Sequence, residues 1–591
     1  MQLIISEKPS QAMVYANVLG ARQRKDGYIE GNGYIISWCI GHLVGPADAA
    51  QYDEKYKSWK LDTLPIIPDT WKYSIFNNKK KQFNIIKKLM NRKDIKSVVC
   101  ATDAGREGEL IFRFVYEMAW CNKPIMRLWL SSMEESAIRT GFDNLKHGEE
   151  YENLYQSALC RAKADWLIGI NSTRLFSSLY GKTLNVGRVQ TPTLAMLVDR
   201  QAKITNFSKE MYYKVRLKTG GFEATSESIS DPQKAKQMQS DCMNQNAYCI
   251  SLINERKTES APKLFDLTSL QRESNKLFGL TAKQTLDIAQ KLYESKLITY
   301  PRTDSKYITS DMANSVAKLS KSIAEQLNLT ETQTNQINQV VNNAKVTDHH
   351  AIIPTQAFTT LASDKLSEIE LKVILLIAYR FFTALCGKHV FDAITAVFEC
   401  NKHIFTTRGK TTIDNGWRAI ESQMKIKLGS KADTKDETAS PPHITEGQEF
   451  NNPDIVVTAH ATQPPKPFTE DTLLSAMEHA GADETDNDAE RKGLGTPATR
   501  AATIEKLVTG GFVIRKGKQL IPSDVGTNLI KMLPQELTSP IMTAEWENKL
   551  LLVSKGSLNP NDFMDSIETM VKDIVSQNKM PKSEFKNTFR Q

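Results

Sequence analysis

Residues 98–109, Val98-Val99-Cys100-Ala101-Thr102-Asp103-Ala104-Gly105-Arg106-Glu107-Gly108-Glu109, decide the fold. The run opens with apolar residues suited to a buried strand and breaks at Asp103 into acids and glycines. Beyond it Leu110, Ile111, Phe114, Val115 and Met118 recur at helical spacing. Near the N-terminus Leu3-Ile4-Ile5 reads as a second buried strand, ending at Glu7-Lys8. Short apolar strands alternating with helical periodicity place residues 1–150 in the α/β class, around a parallel sheet. In such a sheet the carboxyl ends of the strands face one crevice, so Glu7, Asp103, Glu107 and Glu109 can converge there. Carboxylates so placed suit a hard divalent cation, which points to magnesium and phosphate chemistry. The competing role for the same acids is solvated capping of the next helix.

A chain of 591 residues predicts about four domains, at roughly 150 residues each. Its 40% apolar and 24% charged residues exclude wholesale disorder and a fibrous repeat. The 76 basic against 68 acidic residues leave a net charge of +8, which admits a polyanionic partner. The longest apolar stretch, Val373 to Cys386, is broken by Arg380 and falls short of the ~20 residues of a spanning helix. Glu7 and Lys8 interrupt the N-terminus where a signal peptide would stay apolar, so no membrane association and a cytoplasmic location are expected. The eight cysteines contain no CxxC pair, and neither a zinc site nor a disulfide framework is expected.

Further along, residues 151–200 read as almost wholly helical and residues 212–253 as β-type. Thr281 to Leu297 reads as a helix opened by a capping box of Thr281 with Gln284, preceded by a helix from about Leu267 to Leu277. A related pattern runs from Thr499 to Asp524, where Gly510-Gly511 ends a helix and two short β-type runs flank Lys516-Gly517-Lys518. The two stretches read as winged-helix-like units, and as a candidate internal repeat. Gly429 to Gly447 and the acidic run Asp483 to Glu490 read as loops.

Tyr300 stands directly before Pro301-Arg302. A tyrosine hydroxyl can attack phosphorus, and a nearby guanidinium can neutralise the phosphoryl charge that develops. A Tyr-Pro pair alone equally serves packing and a chain turn. His349-His350 offers two imidazoles, and adjacent side chains are not expected both to face one pocket. Asn185-Val186-Gly187-Arg188-Val189-Gln190-Thr191-Pro192 combines a glycine for close approach, an arginine and polar donors, suited to a phosphate backbone. Gly181-Lys182-Thr183 looks like the end of a nucleotide-binding loop, but position 176, where that motif needs glycine, is Phe176. ATP use is therefore not expected. Lys79-Lys80-Lys81, Lys87-Lys88 and Arg92-Lys93 read as a solvated helix face.

Together, and in this order, the blocks resemble the type IA DNA topoisomerases, and more closely their topoisomerase III branch. The resemblance runs from Glu7-Lys8-Pro9-Ser10 through the Toprim acidic motif at Ala101 to Glu109. It continues through Arg161, Asp165 to Arg174, Gly187 to Pro192, Leu267 to Ser305 and Asp348 to Thr355, to Gly495-Thr496-Pro497-Ala498-Thr499-Arg500. It implies a four-domain toroid of mixed α/β, α and β structure. The Toprim domain would span 1–150, a helical single-strand-binding domain 151–208 and 468–591, a β-rich arch 209–262 and 386–467, and a winged-helix-like tyrosine domain 263–385.

The implied activity is magnesium-dependent, ATP-independent cleavage, passage and rejoining of single DNA strands, relaxing negative supercoils, with decatenation of DNA as a further implied outcome. The rivals are a Toprim nuclease or primase, which needs no tyrosine, and a non-catalytic single-strand-binding relative. By resemblance Tyr300 is the nucleophile and Lys8 the proton donor, with Glu7 beside the phosphate. Arg302 contacts the phosphate, and His349 assists, with His350 as the alternative. Glu7, Asp103 and Glu107 would hold the ion. His42, Arg161, Asp165, Arg174, Val186, Gly187, Arg188, Val189, Gln190, Thr191 and Arg302 would contact DNA. A monomer is expected, with any helicase partner unassigned, and with no zinc ribbon in the closing stretch Lys582 to Gln591. One departure stands out: the family's acidic motif commonly reads Asp-x-Asp-x-Glu, whereas this chain carries Gly105 at the second position.

Overall fold

The structure, a computed structural model, describes residues 1–130, 133–219, 221–329, 336–346, 348–361, 366–429, 444–481, 493–585 and 588–589. The acidic run Asp483 to Glu490 and most of the Gly429 to Gly447 stretch lie outside the described residues.

The N-terminal sheet has seven strands, in the order Gln23–Lys25, Tyr28–Gly31, Tyr34–Trp38, Gln2–Ser6, Ser97–Ala101, Ile125–Arg127, Lys146–His147. The middle four run parallel. Side chains alternate across a strand, so Leu3, Ile5, Val98 and Cys100 enter one apolar layer and Ile4, Val99 and Ala101 the other. All seven are fully buried, as expected of parallel strands covered by helices on both faces. The helices Pro9–Leu19 and Arg106–Met118 each start just beyond the carboxyl end of a central strand.

The helices Glu152–Tyr180 and Gln190–Thr205 follow. Residues 181–189 between them are not helical, contrary to the near-continuous helix expected over 151–200. Gly181, left-handed at φ 69°, closes the first helix, and the next eight residues form the loop before the second. Leu167, Phe176 and Leu194 pack with Leu473, Leu529, Trp546 and Phe563. The chain thus leaves this helical body after Thr205 and rejoins it near Phe468.

The excursion begins with a second seven-stranded sheet, in which Ala247–Glu259, His389–Cys400 and His403–Asp414 form long antiparallel ladders. The helix Pro232–Cys242 interrupts the β-type reading of 212–253. Asp231 accepts a hydrogen bond from the Gln233 amide at 2.8 Å and Pro232 occupies the first turn, a local start signal stronger than the surrounding β composition. A separate body with its own apolar core contains Leu270, Leu292, Ile323 and Phe382. Its helix Ala282–Glu294 opens with the reciprocal pair expected from the sequence: Thr281 Oγ1 accepts from the Gln284 amide at 3.1 Å, and Gln284 Oε1 from the Thr281 amide at 2.9 Å. Near the C-terminus the helix Pro497–Thr509 leads into a hairpin of Val513–Lys516 and Gln519–Pro522. After Ala282–Glu294, by contrast, Ile298 makes only an isolated bridge to Pro354. The two candidate repeat units therefore share a helix and its stop but not the hairpin. Among the described residues, no helix is long and apolar enough to cross a membrane.

Substituting Thr281→Ala should remove one half of the capping box and destabilise that helix start by ~1 kcal/mol. Hydrogen exchange of the Ala282–Glu294 amides should accelerate, with the N-terminal sheet unaffected; unchanged exchange would mean the cap is redundant.

Candidate active site

Tyr300 is set by backbone lacing rather than by regular structure. The following Pro301 keeps it out of helical conformation. The Thr299 amide donates to Ile353 O at 2.9 Å, and Thr303 Oγ1 to His349 O at 2.7 Å. The tyrosine loop and the histidine loop are thereby held edge to edge. The rings of Tyr300 and His349 lie 4.5 Å apart, and Tyr293, on the helix Ala282–Glu294, meets Tyr300 edge-on at 5.3 Å.

These loops face the carboxyl ends of the N-terminal strands. Lys8 Nζ lies 3.2 Å from the centroid of the Tyr300 ring and 3.3 Å from Asp103 Oδ2. His349 Nε2 is 2.9 Å from the same oxygen, and Gln11 Nε2 donates to Asp103 Oδ1. The Asp103 amide donates to Glu7 Oε2 at 3.2 Å. A cavity of about 1030 Å³ opens here, lined by Lys8, Asp103, Tyr293, Tyr300, Asp348 and His349 among others.

Burial alone would raise the Asp103 carboxyl, but His349 and Lys8 outweigh it and hold it well below the usual carboxylate range. For Glu7 the balance is reversed, Lys8 and the Asp103 amide being too weak to offset burial. Burial and the neighbouring Asp103 charge push it up to about 8. Burial opposes the charge on Lys8, yet Asp103 beside it keeps the ammonium above its ordinary value. Burial raises the Tyr300 phenol despite Lys8. Of the histidine pair, His349 meets both Tyr300 and Asp103, whereas burial pushes His350 down to about 4 and its Nδ1 lies 2.9 Å from Ala351 O.

The expected acids divide. Glu7 and Asp103 stand side by side, while Glu107, half exposed, hydrogen-bonds His42 Nε2 at 2.7 Å. Glu109 turns away: fully buried, it ion-pairs with Arg127 at 3.0 Å and Arg113 at 2.9 Å. Among the described residues, no three His, Cys, Asp or Glu side chains form a metal-holding group. Magnesium commonly takes only one or two protein carboxylates and fills the rest with water and phosphate oxygens. Glu7 with Asp103, two adjacent carboxyls whose charges disfavour each other, fits that requirement.

A second cluster gathers the expected groove residues. Glu547 meets Arg106 Nη2 at 2.8 Å, Arg188 Nη1 at 3.3 Å and Arg161 Nε at 3.8 Å; Arg188 Nε also meets Asp165 at 2.7 Å. Burial would raise the Glu547 carboxyl, but Arg161, Arg106 and Arg188 together hold it far below its usual range. Arg188 is buried in this network, and Arg174 donates to Tyr56 O at 2.7 Å against the Trp59 ring. These two arginines are committed to protein partners; Arg161 and Asp165 are more exposed. The Val186 amide donates to Thr173 at 3.1 Å and the Gly187 amide to Thr191 at 3.0 Å, which fixes the loop leading to Val189 and Gln190. Arg302 is exposed beside the tyrosine. Gly181-Lys182-Thr183 follows a helix C-terminus, whereas a phosphate cradle requires an N-terminus.

Sequence reasoning missed Gln11, Tyr293 and Glu547. Gln11 was findable, lying three residues after Lys8 in the first turn of the following helix. Glu547 carried no local signal.

The DNA topoisomerase family profile matches residues 149–565, and the Toprim domain profile residues 2–133. The chain belongs to the DNA topoisomerase family. It is 38% identical to the DNA topoisomerase 3 of Bacillus cereus over 99% of its own length and 83% of that protein. The same figures describe its likeness to the DNA topoisomerase 3 of Bacillus subtilis. Full-length topoisomerase I of Thermotoga maritima shares the fold, with TM-score 0.72 at 21% identity over 98% of this chain and 90% of that one. The chain is thus an isomerase with type IA architecture and an N-terminal Toprim domain.

Because Glu547 is ionised far below its ordinary value of 4.5 in the folded protein, its stabilisation is fully present above 4.5. It is lost as pH falls towards the lower folded value, since only the unfolded chain then takes up the proton. The Glu547→Gln variant should therefore melt below the native protein at pH 7, by an amount that shrinks below pH 4.5. Melting curves against pH check this; a gap independent of pH would assign the loss to packing.

Proposed function

We propose that Tyr300 cleaves one strand of DNA and holds its 5′ phosphate as a tyrosyl ester. The observation that carries this reading is the meeting of Tyr300, Lys8, Asp103 and His349 in one cavity between two separately cored bodies. In the reaction Tyr300 Oη bonds to phosphorus and the bond to the 3′ oxygen breaks. Lys8, kept charged by Asp103, gives that oxygen its proton. Glu7, poised near neutrality, serves the proton leaving the phenol. Arg302 and His349 bear on the phosphoryl charge. Rejoining reverses each step, and the ester conserves the energy of the broken bond, so no nucleotide is consumed.

Glu7 and Asp103 would hold a magnesium ion, with Glu107 near His42 as the outer acid. When bound, such an ion neutralises phosphate charge and orients the backbone. Arg161, Asp165 and the loop Val186 to Thr191 border the route for single-stranded DNA, backed by Arg174 and Arg188. His42 lies near the cleavage point. The four-domain division given by the sequence accompanies this reading: 1–150, 151–208 with 468–591, 209–262 with 386–467, and 263–385. So do action as a monomer on DNA in the cytoplasm and relaxation of negative supercoils.

Tyr300→Phe should abolish both plasmid relaxation and the covalent protein–DNA adduct while leaving single-strand binding within a few-fold. Persistent cutting by the variant would favour a Toprim nuclease. Excess chelator should stop relaxation by the native protein, and magnesium should restore it; full activity in chelator would remove the ion from the mechanism.

A further inference from the structure

Gly105 stands where the acidic motif commonly carries a second aspartate, and the structure shows what fills the space. Its backbone is extended, φ −171° and ψ 176°, a conformation any residue adopts. Glycine is therefore not demanded by the backbone. It is demanded by a neighbour: a Cβ at position 105 would lie 2.8 Å from Asp348 Oδ1, 3.0 Å from Oδ2 and 3.1 Å from Cγ. The carboxylate of Asp348 sits where the side chain of an aspartate at 105 would begin. Asp348 belongs to the other body, next to His349, whose Nε2 reaches Asp103.

A second oxygen belongs to the same cavity. Gln11 is 4% exposed and commits its Nε2 to Asp103, while its Oε1 is buried without a hydrogen-bond partner. An oxygen so placed beside acids lacks a donor in the protein and suits a cation or its water.

We infer that Asp348 supplies, from the tyrosine-bearing body, the carboxylate that Gly105 lacks, and joins Glu7 and Asp103 across the junction when magnesium draws them together, the three forming no metal-holding group without the ion. The inference rests on the magnesium reading above and names a ligand that the acidic motif does not contain. With both acids on one turn, the Toprim domain would hold its ion alone. Here the ion shares its ligands between two bodies, so it is held fully only while they are closed on each other. Cation binding and closure are therefore linked: whichever comes first strengthens the other.

The test is a thermodynamic cycle on the full chain, with magnesium chloride as the probe and the magnesium-dependent rise in melting temperature as the readout. Asp348→Ala should raise the half-effective magnesium concentration at least roughly tenfold. Gly105→Asp should raise it too, because the new side chain collides with Asp348. The double variant Gly105→Asp/Asp348→Ala should return it to within a few-fold of the native value, an acid having been removed on one side and supplied on the other. Should Asp348→Ala not fold, Asp348→Asn keeps the shape without the charge and should show the same loss. An unchanged magnesium response in Asp348→Ala or Asp348→Asn overturns the assignment, as does a double variant no better than the worse single one. A native protein that binds no magnesium and relaxes plasmid in chelator overturns the magnesium reading itself, and this inference with it. A magnesium-dependent native protein whose Asp348 variants respond normally overturns this inference alone.

Discussion

One buried carboxylate sets the geometry on which the rest depends. Asp103 sits at the end of a central strand, where an unpaired charge would cost several kcal/mol. Lys8 and Gln11 from its own domain and His349 from the tyrosine-bearing body satisfy it together. The contacts that neutralise Asp103 are the same contacts that bring Tyr300 over the crevice. Across this seam Lys8 also lies over the Tyr300 ring, and Tyr293 donates a hydrogen bond to Ser10 at 3.2 Å. Each body keeps its apolar core to itself, with Leu3, Ile5 and Val98 on one side and Leu270, Leu292 and Phe382 on the other. A polar seam of this kind can part without exposing either core. Incoming phosphate oxygens can also take over some of its charge pairing.

Glu547 does for the arginine cluster what Asp103 does for the Tyr300 pocket. It ties Arg106, just beyond the acidic turn, to Arg161 and Arg188 of the helical body. The acidic turn is therefore fixed on two sides, by Asp103 towards the tyrosine and by Arg106 towards Glu547. Arginine suits this role because its planar fork spans two acids at once, as Arg188 does with Asp165 and Glu547. The arginines read from sequence as DNA contacts are in part the scaffold that holds the more exposed Arg161 in place.

What was legible in the sequence was local. The strands Gln2–Ser6 and Ser97–Ala101, the helix after Gly105 and the Thr281 capping box all follow from spacing within a few residues. The tyrosine, the lysine and His349 were reached through motif order, and the structure gathers them in one cavity. Where local signals conflicted, position won over composition: Asp231-Pro232 starts a helix inside a β-rich stretch, and Gly181 stops one inside a helical stretch. What was not legible depends on long-range partners. Arg106 and Glu547 are 441 residues apart, and no pattern within a window connects them. The meaning of Gly105 was equally hidden, because an absent side chain is informative only once the atom occupying its place is known.

Two helix starts make the crevice electrostatically suited to an anion. Lys8 is the N-cap of Pro9–Leu19 and Gly105 that of Arg106–Met118, so both helices direct their unsatisfied amides and positive dipole ends towards the turns that carry Glu7 and Asp103. The Lys8 side chain does not cap its own helix amides, and Gly105 has no side chain to do so. A phosphodiester carries one negative charge, and Lys8 with two helix termini can meet it without the dense positive cradle that a triphosphate needs. The acids impose the complementary limit. Glu7, already pushed up to about 8 by burial and Asp103, disfavours any further negative charge unless a cation or proton accompanies it. A phosphate entering this crevice would therefore be favoured by an accompanying cation or proton. Burial, in spite of Lys8, holds the Tyr300 phenol above its ordinary value and so protonated.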